Sequence, residues 1–190
     1  NLRILVGSDG KRGVKTKVEP TLQEAPGVYN DTILAGLDYL LMEMGKRKML
    51  AVLYLNNSWE WSGGYGYYLE QAGFGKAPLP SIDGYSAFRN FVAKYASCEK
   101  AHQLFYDYVK FILTRTNRYT KKKYKDDPAI MSWQIGNEPR AFSKEQLPAF
   151  EKWLGEASKL IRSLDKNHLI SIGSEGKWGC EGELNCWERI

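Results

Sequence analysis

The apolar residues of the chain follow two different patterns. Four short runs, at 2–6, 49–55, 129–135 and 169–172, are nearly continuously aliphatic or β-branched. Such runs are typical of strands that are buried on both faces of a parallel sheet. Between them, apolar residues recur every three or four positions, which predicts amphipathic helices over 33–44, 101–113 and 150–164. Strands and helices therefore alternate along the chain.

This alternation predicts βαβ units with right-handed crossovers, either in an open doubly wound sheet or in an arc of a (β/α)8 barrel. In barrels the chemistry lies at the carboxyl ends of the strands. Polar residues follow each of the four predicted strands: Ser8 and Asp9, Asn56 and Asn57, Asn137 and Glu138, and Ser174 and Glu175.

The segment from 58 to about 97 is rich in glycine and aromatic residues, and we interpret it as a long functional loop. Flat aromatic rings can stack on the apolar face of a ligand, so Trp59 and Trp61 are candidate ligand contacts, as is Trp178 further along. Packing of the loop onto the rest of the fold is the alternative role for these side chains.

Composition narrows the class of protein. With 43% hydrophobic and 26% charged residues the chain has ordinary globular values, and its net charge of +5 comes largely from lysines at 121–125 that we expect to be solvated. Neither a nucleic-acid partner nor a membrane is expected. The spacing of the three cysteines does not fit a zinc site. Cys180 and Cys186 could close a small loop, which leaves Cys98 unpaired.

Residues 133–140, WQIGNEPR, carry the strongest chemical signal. An apolar strand leads directly into Asn137 and Glu138, and Pro139 favours an extended backbone at the residue before it. Glycoside hydrolysis needs one carboxyl that donates a proton to the leaving oxygen and a second that is ionised. Glu138 is the candidate proton donor. A role in a salt bridge or a helix cap is the alternative for a glutamate in this position.

These residues resemble the acid/base motif of glycoside hydrolase family 5, in its endo-β-1,4-mannanase branch. Segments 27–39, 55–64 and 163–176 are similar to that branch in the same order, so the resemblance spans nearly the whole chain. It implies a (β/α)8 TIM barrel, present only as a partial barrel of about four units, strands two to five, in a single partial catalytic domain over 1–190.

The resemblance also implies roles for individual residues. Glu138 would be the general acid/base of a retaining double displacement, supported by Asn137 and Arg3. The resemblance places Glu175 on the substrate side, and side-chain chemistry adds Asn57, Trp59, Trp61, Arg140 and Trp178 as expected substrate contacts. Capping of a helix is an equal alternative for Asn57. A buttressing ion pair under Glu138 is an equal alternative for Arg140, and a structural acceptor or a second carboxylate are alternatives for Glu175. No metal or organic cofactor is expected.

The family's nucleophile, a glutamate at the seventh strand, has no match here, so we expect it to lie beyond this chain and the isolated fragment to be inactive. The expected partner is a polysaccharide, β-mannan or a related β-glycan, and the expected location is extracellular or periplasmic. Two alternatives remain: another family 5 β-glycanase such as a β-1,4-glucanase, and a carbohydrate-binding fragment that does not catalyse. The sequence does not indicate an oligomeric state.

Overall fold

The computed structural model describes residues 1–10 and 17–183, and its central element is a parallel sheet. The strands are β1 (Leu2–Leu5), β2 (Gln23–Ala25), β3 (Val28–Tyr29), β4 (Ala51–Tyr54), β5 (Ile130–Gln134) and β6 (Leu169–Ser171). Strands β1, β4, β5 and β6 form the sheet in that order, with every pair parallel. The other two form a small antiparallel pair that the apolar pattern did not predict.

The helices of the described residues are α1 (Asp31–Lys46), α2 (Gly64–Leu69), α3 (Pro80–Asp83), α4 (Tyr85–Val92), α5 (Glu99–Thr114) and α6 (Leu147–Leu164). The three predicted amphipathic helices correspond to α1, α5 and α6, so those predictions are confirmed. Helix α1 begins after Asn30, whose side chain accepts hydrogen bonds from the backbone N–H groups of Thr32 and Ile33. No helix in the described part of the chain is long and apolar enough to cross a membrane.

The order of the strands distinguishes between the two architectures that the sequence left open. In a doubly wound sheet the strand order reverses at a switch point, whereas in a barrel each strand lies beside the one before it. Here the neighbours follow chain order without a reversal. The sheet is therefore an arc of a (β/α)8 barrel.

The interpretation of 58–97 as a loop is wrong. The segment contains α2, α3, α4, a π-helical turn at Glu70–Phe74 and a 3-10 helix at Ala93–Ser97. Its helices are short and separated by glycines, so none is long enough to show a clear helical period in the sequence. Tyr65, Tyr68 and Tyr95 of this segment are fully buried, and with Tyr67 and Phe88 half of its ten aromatic rings belong to the core.

A buried charge network joins α1 to the segment that follows α5. The carboxylate of Asp38 is completely buried and accepts two hydrogen bonds from Arg115, at 2.6 and 3.1 Å, and one from the Tyr124 hydroxyl at 2.6 Å. Arg118 adds a further contact at 3.2 Å. Burial alone would raise the pKa of Asp38, but the hydrogen bonds from Arg115 and Tyr124 outweigh it and lower the pKa below its usual value.

Replacement of Asp38 by Asn should lower the free energy of unfolding by about 3 kcal/mol at pH 7, because it leaves the partly buried Arg115 guanidinium without the buried carboxylate that pairs with it. The depressed pKa means that the stabilisation is present above the ordinary pKa of an aspartate and is lost as the pH falls through the lower, folded-state value. Urea denaturation of both proteins between pH 7 and pH 3 measures this.

The matched control is Asp31→Asn, since Asp31 also pairs with Arg118 but its side chain is 79% exposed. That variant should lose less than about 1 kcal/mol. Equal losses in the two variants would show that burial of the Asp38 network does not determine its contribution.

Candidate active site

The backbone beyond β5 is held between its two neighbouring strands. The N–H of Asn137 donates to the carbonyl of Asn56 at 2.8 Å, and the N–H of Glu138 donates to the carbonyl of Gly173 at 3.1 Å. Successive residues thus bond to opposite neighbours, as parallel ladders require. Position 173 has φ +85°, and a Cβ there would overlap the carbonyl oxygen of Gly136, so the close approach requires glycine.

Glu138 has a different backbone conformation from the one that Pro139 predicts. Its φ is +50°, in the left-handed region, so the expectation of an extended backbone is wrong. Tertiary contacts override the local preference: besides the bond to Gly173, the carbonyl of Glu138 accepts a 2.6 Å hydrogen bond from the Ser58 hydroxyl. The side chain is partly exposed, and its Oε2 accepts a hydrogen bond from the Trp59 indole N–H at 2.5 Å.

Asn137 lies at the centre of a chain of amide and guanidinium contacts. Its Oδ1 accepts from Arg3 Nη2 at 3.0 Å, and its Nδ2 donates to Asn57 Oδ1 at 3.2 Å. Arg3 also donates from Nε to Gln134 Oε1 at 2.7 Å and lies over the Tyr54 ring. Three of the predicted site residues are therefore in direct contact. Asn57 itself is fully buried beneath the strand ends.

A cluster of charges lies next to Glu138. The Arg140 guanidinium is 3.5 Å from Glu175 and 3.5 Å from Glu181, and Arg89 of α4 is 3.4 Å from Glu181. Burial raises the pKa of Glu175, the charges of Glu138 and Glu181 act in the same direction, and Arg140 opposes them. Arg140 thus joins the segments that follow β5 and β6.

The three predicted aromatic contacts lie in different places. Trp59 contacts Glu138, as described above. Trp61 is partly buried on the β1 side, where its carbonyl accepts a hydrogen bond from the N–H of Val18 at 2.7 Å. Trp178 is 64% exposed in a 3-10 turn after β6, with Lys177 over its ring. Of the three rings, the one at 59 adjoins the candidate proton donor.

Several residues of the site were not identified from the sequence. Ser58 interrupts the family pattern between Asn57 and Trp59, yet it bonds to the backbone of Glu138. Phe88 stacks on Trp59, but it belongs to the segment that was interpreted as a loop. Glu181 follows a cysteine and has no periodic signal. A polar side chain at the end of a mainly apolar strand was the available clue to Gln134.

Both histidines have structural partners. His168 Nδ1 lies 2.6 Å from Asp165 Oδ2, which also accepts from the Trp133 indole at 2.6 Å. His102 Nε2 lies 2.7 Å from the carbonyl of Tyr95. Cys98 is a free thiol and Cys180 is disulfide-bonded, whereas Cys186 lies outside the described residues. No group of three or more potential metal ligands occurs within 1–10 and 17–183.

The arrangement is a glutamate at a barrel strand end, flanked by an asparagine, an arginine and a tryptophan. A family model described as "GH family 5 beta-mannosidase-like" matches residues 1–190, the whole chain. The chain belongs to glycoside hydrolase family 5. Its similarity to mannan endo-1,4-beta-mannosidase 4 of Solanum lycopersicum is 39% identity over 158 residues, 83% of this chain and 37% of that protein.

Solved structures give the same family. A glycoside hydrolase family 5 mannosidase from Rhizomucor miehei, in complex with mannosyl-fructose, matches 92% of this family 5 chain with a TM-score of 0.83 and 35% identity, and 42% of that structure is covered. The endo-β-1,4-mannanase from Thermotoga petrophila matches with a TM-score of 0.73 and 26% identity over 92% of this chain and 36% of the other. The predicted fold, part of a (β/α)8 barrel, is confirmed. The chain spans less than half the length of these relatives.

One further carboxyl of the family 5 chain is buried at a strand end. Asp9, after β1, is 2% exposed and accepts hydrogen bonds from Gln23 at 2.9 Å and from the Tyr68 hydroxyl at 3.4 Å. Burial raises its pKa to about 7, although the bonds from Gln23, the Gly64 N–H and Tyr68 act in the opposite direction. A raised pKa means that the protonated carboxyl is the form that the fold prefers.

The stability of Asp9→Asn relative to the wild type should therefore be greater at pH 8 than at pH 5. The wild-type contribution is fully present below the unfolded-state pKa and is lost as the pH rises through about 7, whereas an amide does not ionise. The difference in unfolding free energy between variant and wild type should grow by roughly 1 to 3 kcal/mol from pH 5 to pH 8. Chemical denaturation at both pH values measures it.

Asp107→Asn serves as the control, because Asp107 is an exposed helix residue paired with Lys110. Its difference from wild type should not change over the same pH range. If Asp9→Asn also showed no pH-dependent difference, the carboxyl at position 9 would not carry a raised pKa.

Proposed function

We propose that this chain is the part of a retaining endo-β-1,4-mannanase that supplies the general acid/base, Glu138. In the first step Glu138 donates its proton to the glycosidic oxygen while a carboxylate attacks the sugar from the opposite face. In the second step Glu138 takes a proton from water, which hydrolyses the glycosyl-enzyme intermediate. The attacking carboxylate is contributed by a part of the enzyme outside these residues.

The observation that supports this role most directly is the setting of the Glu138 carboxyl. It is partly exposed at a strand end, and one of its oxygens accepts a hydrogen bond from Trp59. Within the described residues it forms no ion pair with a lysine or an arginine, whereas Glu175 is paired with Arg140. A group that must alternately release and accept a proton is hindered by a fixed counter-charge. Glu138 therefore suits the acid/base role better than Glu175.

Asn137 and Arg3 prepare the site for the sugar. Arg3 and Asn57 fix the orientation of the Asn137 amide through Oδ1 and Nδ2. An oriented amide can hold a sugar hydroxyl without reorganising as charge develops in the transition state. The cation of Arg3, in the same chain of contacts, would hold the incoming carboxylate nucleophile ionised.

The proposed substrate is β-mannan. The relative from Solanum lycopersicum is named as a mannan endo-1,4-beta-mannosidase, as is the one from Oryza sativa subsp. japonica, which is 34% identical over 170 residues. An extracellular or periplasmic location agrees with the disulfide at Cys180, since disulfides persist in oxidising compartments. Initial rates of the complete enzyme on mannan and on a β-1,4-glucan distinguish a mannanase from a glucanase.

Glu138→Gln in the complete enzyme should lower kcat on mannan by at least about a hundredfold, because the amide can neither donate nor accept the catalytic proton. Binding of mannooligosaccharides should stay close to that of the wild type, since Gln has the same shape. Reducing-sugar release and calorimetric titration measure the two quantities.

Glu175→Gln is the matched control at the neighbouring strand end. It should lower kcat by less than about tenfold, because Glu175 does not transfer a proton in the proposed mechanism. Turnover by Glu138→Gln within a few-fold of the wild type would remove Glu138 from the acid/base role. A larger loss in Glu175→Gln than in Glu138→Gln would transfer that role to Glu175.

A further inference from the structure

Two consecutive residues after β4, Ser58 and Trp59, form hydrogen bonds to the backbone and to the side chain of Glu138. The Ser58 hydroxyl donates to the backbone carbonyl of Glu138 at 2.6 Å, and the Trp59 indole N–H donates to its carboxylate Oε2 at 2.5 Å. We propose that Ser58 and Trp59 are positioning residues that determine which carboxyl oxygen transfers the proton, with Oε2 held by the indole and Oε1 carrying the proton. This inference rests on the acid/base role proposed above.

The chemistry of the indole explains the choice of oxygen. An indole N–H can only donate a hydrogen bond, so the oxygen opposite it must accept. In a protonated carboxyl the carbonyl oxygen is the better acceptor, and the proton is therefore carried by the other oxygen. Because Oε2 faces the Trp59 N–H, Oε1 is the oxygen that is protonated in the acid form. The same oxygen then accepts the proton from water in the second step.

The Trp59 ring is itself held by packing, which gives the donor a fixed direction. Phe88 of α4 stacks with it at 6.1 Å between centroids and 18° between planes. Phe142 meets it edge-on at 5.6 Å, and Arg140 lies 6.0 Å from the ring centre. The Trp59 backbone N–H donates to Asn57 Oδ1 at 3.1 Å. The indole therefore cannot follow the carboxylate if the latter turns, and the carboxylate is the group that is oriented.

Ser58 constrains the backbone of Glu138, as Trp59 constrains its carboxylate. Glu138 has a positive φ, a conformation that costs free energy for a residue with a Cβ. The Ser58 hydroxyl bonds to the carbonyl of this residue, and the Ser58 N–H donates to the Asn137 carbonyl at 3.2 Å. Both contacts stabilise the unusual backbone turn from which the Glu138 side chain projects. Because the backbone and the carboxylate of Glu138 are both held by hydrogen bonds, the carboxyl has little freedom to rotate.

Trp59→Phe tests the proposal, because it keeps an aromatic ring but removes the N–H. The substrates are aryl β-mannobiosides with leaving groups from 2,4-dinitrophenol to phenol, which differ in their need for protonation but share one sugar. In the complete enzyme, kcat/KM for the phenyl substrate should fall about 10- to 100-fold, whereas the dinitrophenyl substrate should lose less than about threefold. Ser58→Ala should show the same selectivity, and Ser58→Thr should restore most of the loss.

Trp153→Phe is the control for the substitution itself, since Trp153 is a core residue whose indole N–H has no hydrogen-bond partner among the described residues. It should change kcat/KM equally for all leaving groups. An equal loss for all leaving groups in Trp59→Phe would overturn the positioning role and indicate a sugar-binding or structural role instead. Wild-type values of kcat/KM for every leaving group would also overturn the positioning role.

Glu138→Gln, measured with the same substrates, separates the two proposals. If it discriminates between leaving groups and Trp59→Phe does not, only the positioning role fails. If Glu138→Gln itself does not discriminate, the acid/base role fails and the inference fails with it.

Discussion

Two successive backbone N–H groups beyond β5 bond in opposite directions, one to the end of β4 and one to the end of β6, and the site depends on this pair of bonds. They fix Asn137 and Glu138 between the two neighbouring strands. A side chain fixed in this way inherits the rigidity of the sheet, which loops alone do not supply. On the β6 side, where Glu138 bonds to Gly173, the backbone of Gly173 lies so close to the carbonyl oxygen of Gly136 that a side chain at 173 would not fit.

The residues around Glu138 divide into two groups with different electrostatic character. On the β1 and β4 side, Arg3, Asn137 and Asn57 form a chain of neutral and cationic donors. On the β6 side, Arg140 lies between Glu175 and Glu181, and Arg89 completes the cluster. The carboxylates on that side are thus neutralised by arginines of other segments. Glu138 lies between the two groups and keeps a carboxyl that is free of an ion pair with any described lysine or arginine.

The helical segment between β4 and α5 connects the core to the site. Tyr65, Tyr68 and Tyr95 anchor it in the interior, and Phe88 extends from it to the Trp59 ring. Because α4 also supplies Arg89, one short helix supports both the tryptophan next to Glu138 and the charge cluster beside it. The buried aromatic side chains of this segment thus pack in the core, and Phe88 among them fixes the direction of the Trp59 indole.

The sequence by itself determined the four strands of the parallel sheet, the three long helices and the strand-end position of Glu138, because continuous apolar runs and three-to-four spacing are local signals that burial makes strong. It also indicated the family through residues 133–140. Tertiary structure alone decided the left-handed backbone of Glu138, where bonds from Ser58 and to Gly173 override the preference that Pro139 sets. It alone decided that Arg140 pairs with Glu181 and that Phe88 supports Trp59. These contacts join residues that are about 30 to 80 positions apart, and a local pattern cannot encode which distant partner the packed chain will bring within reach.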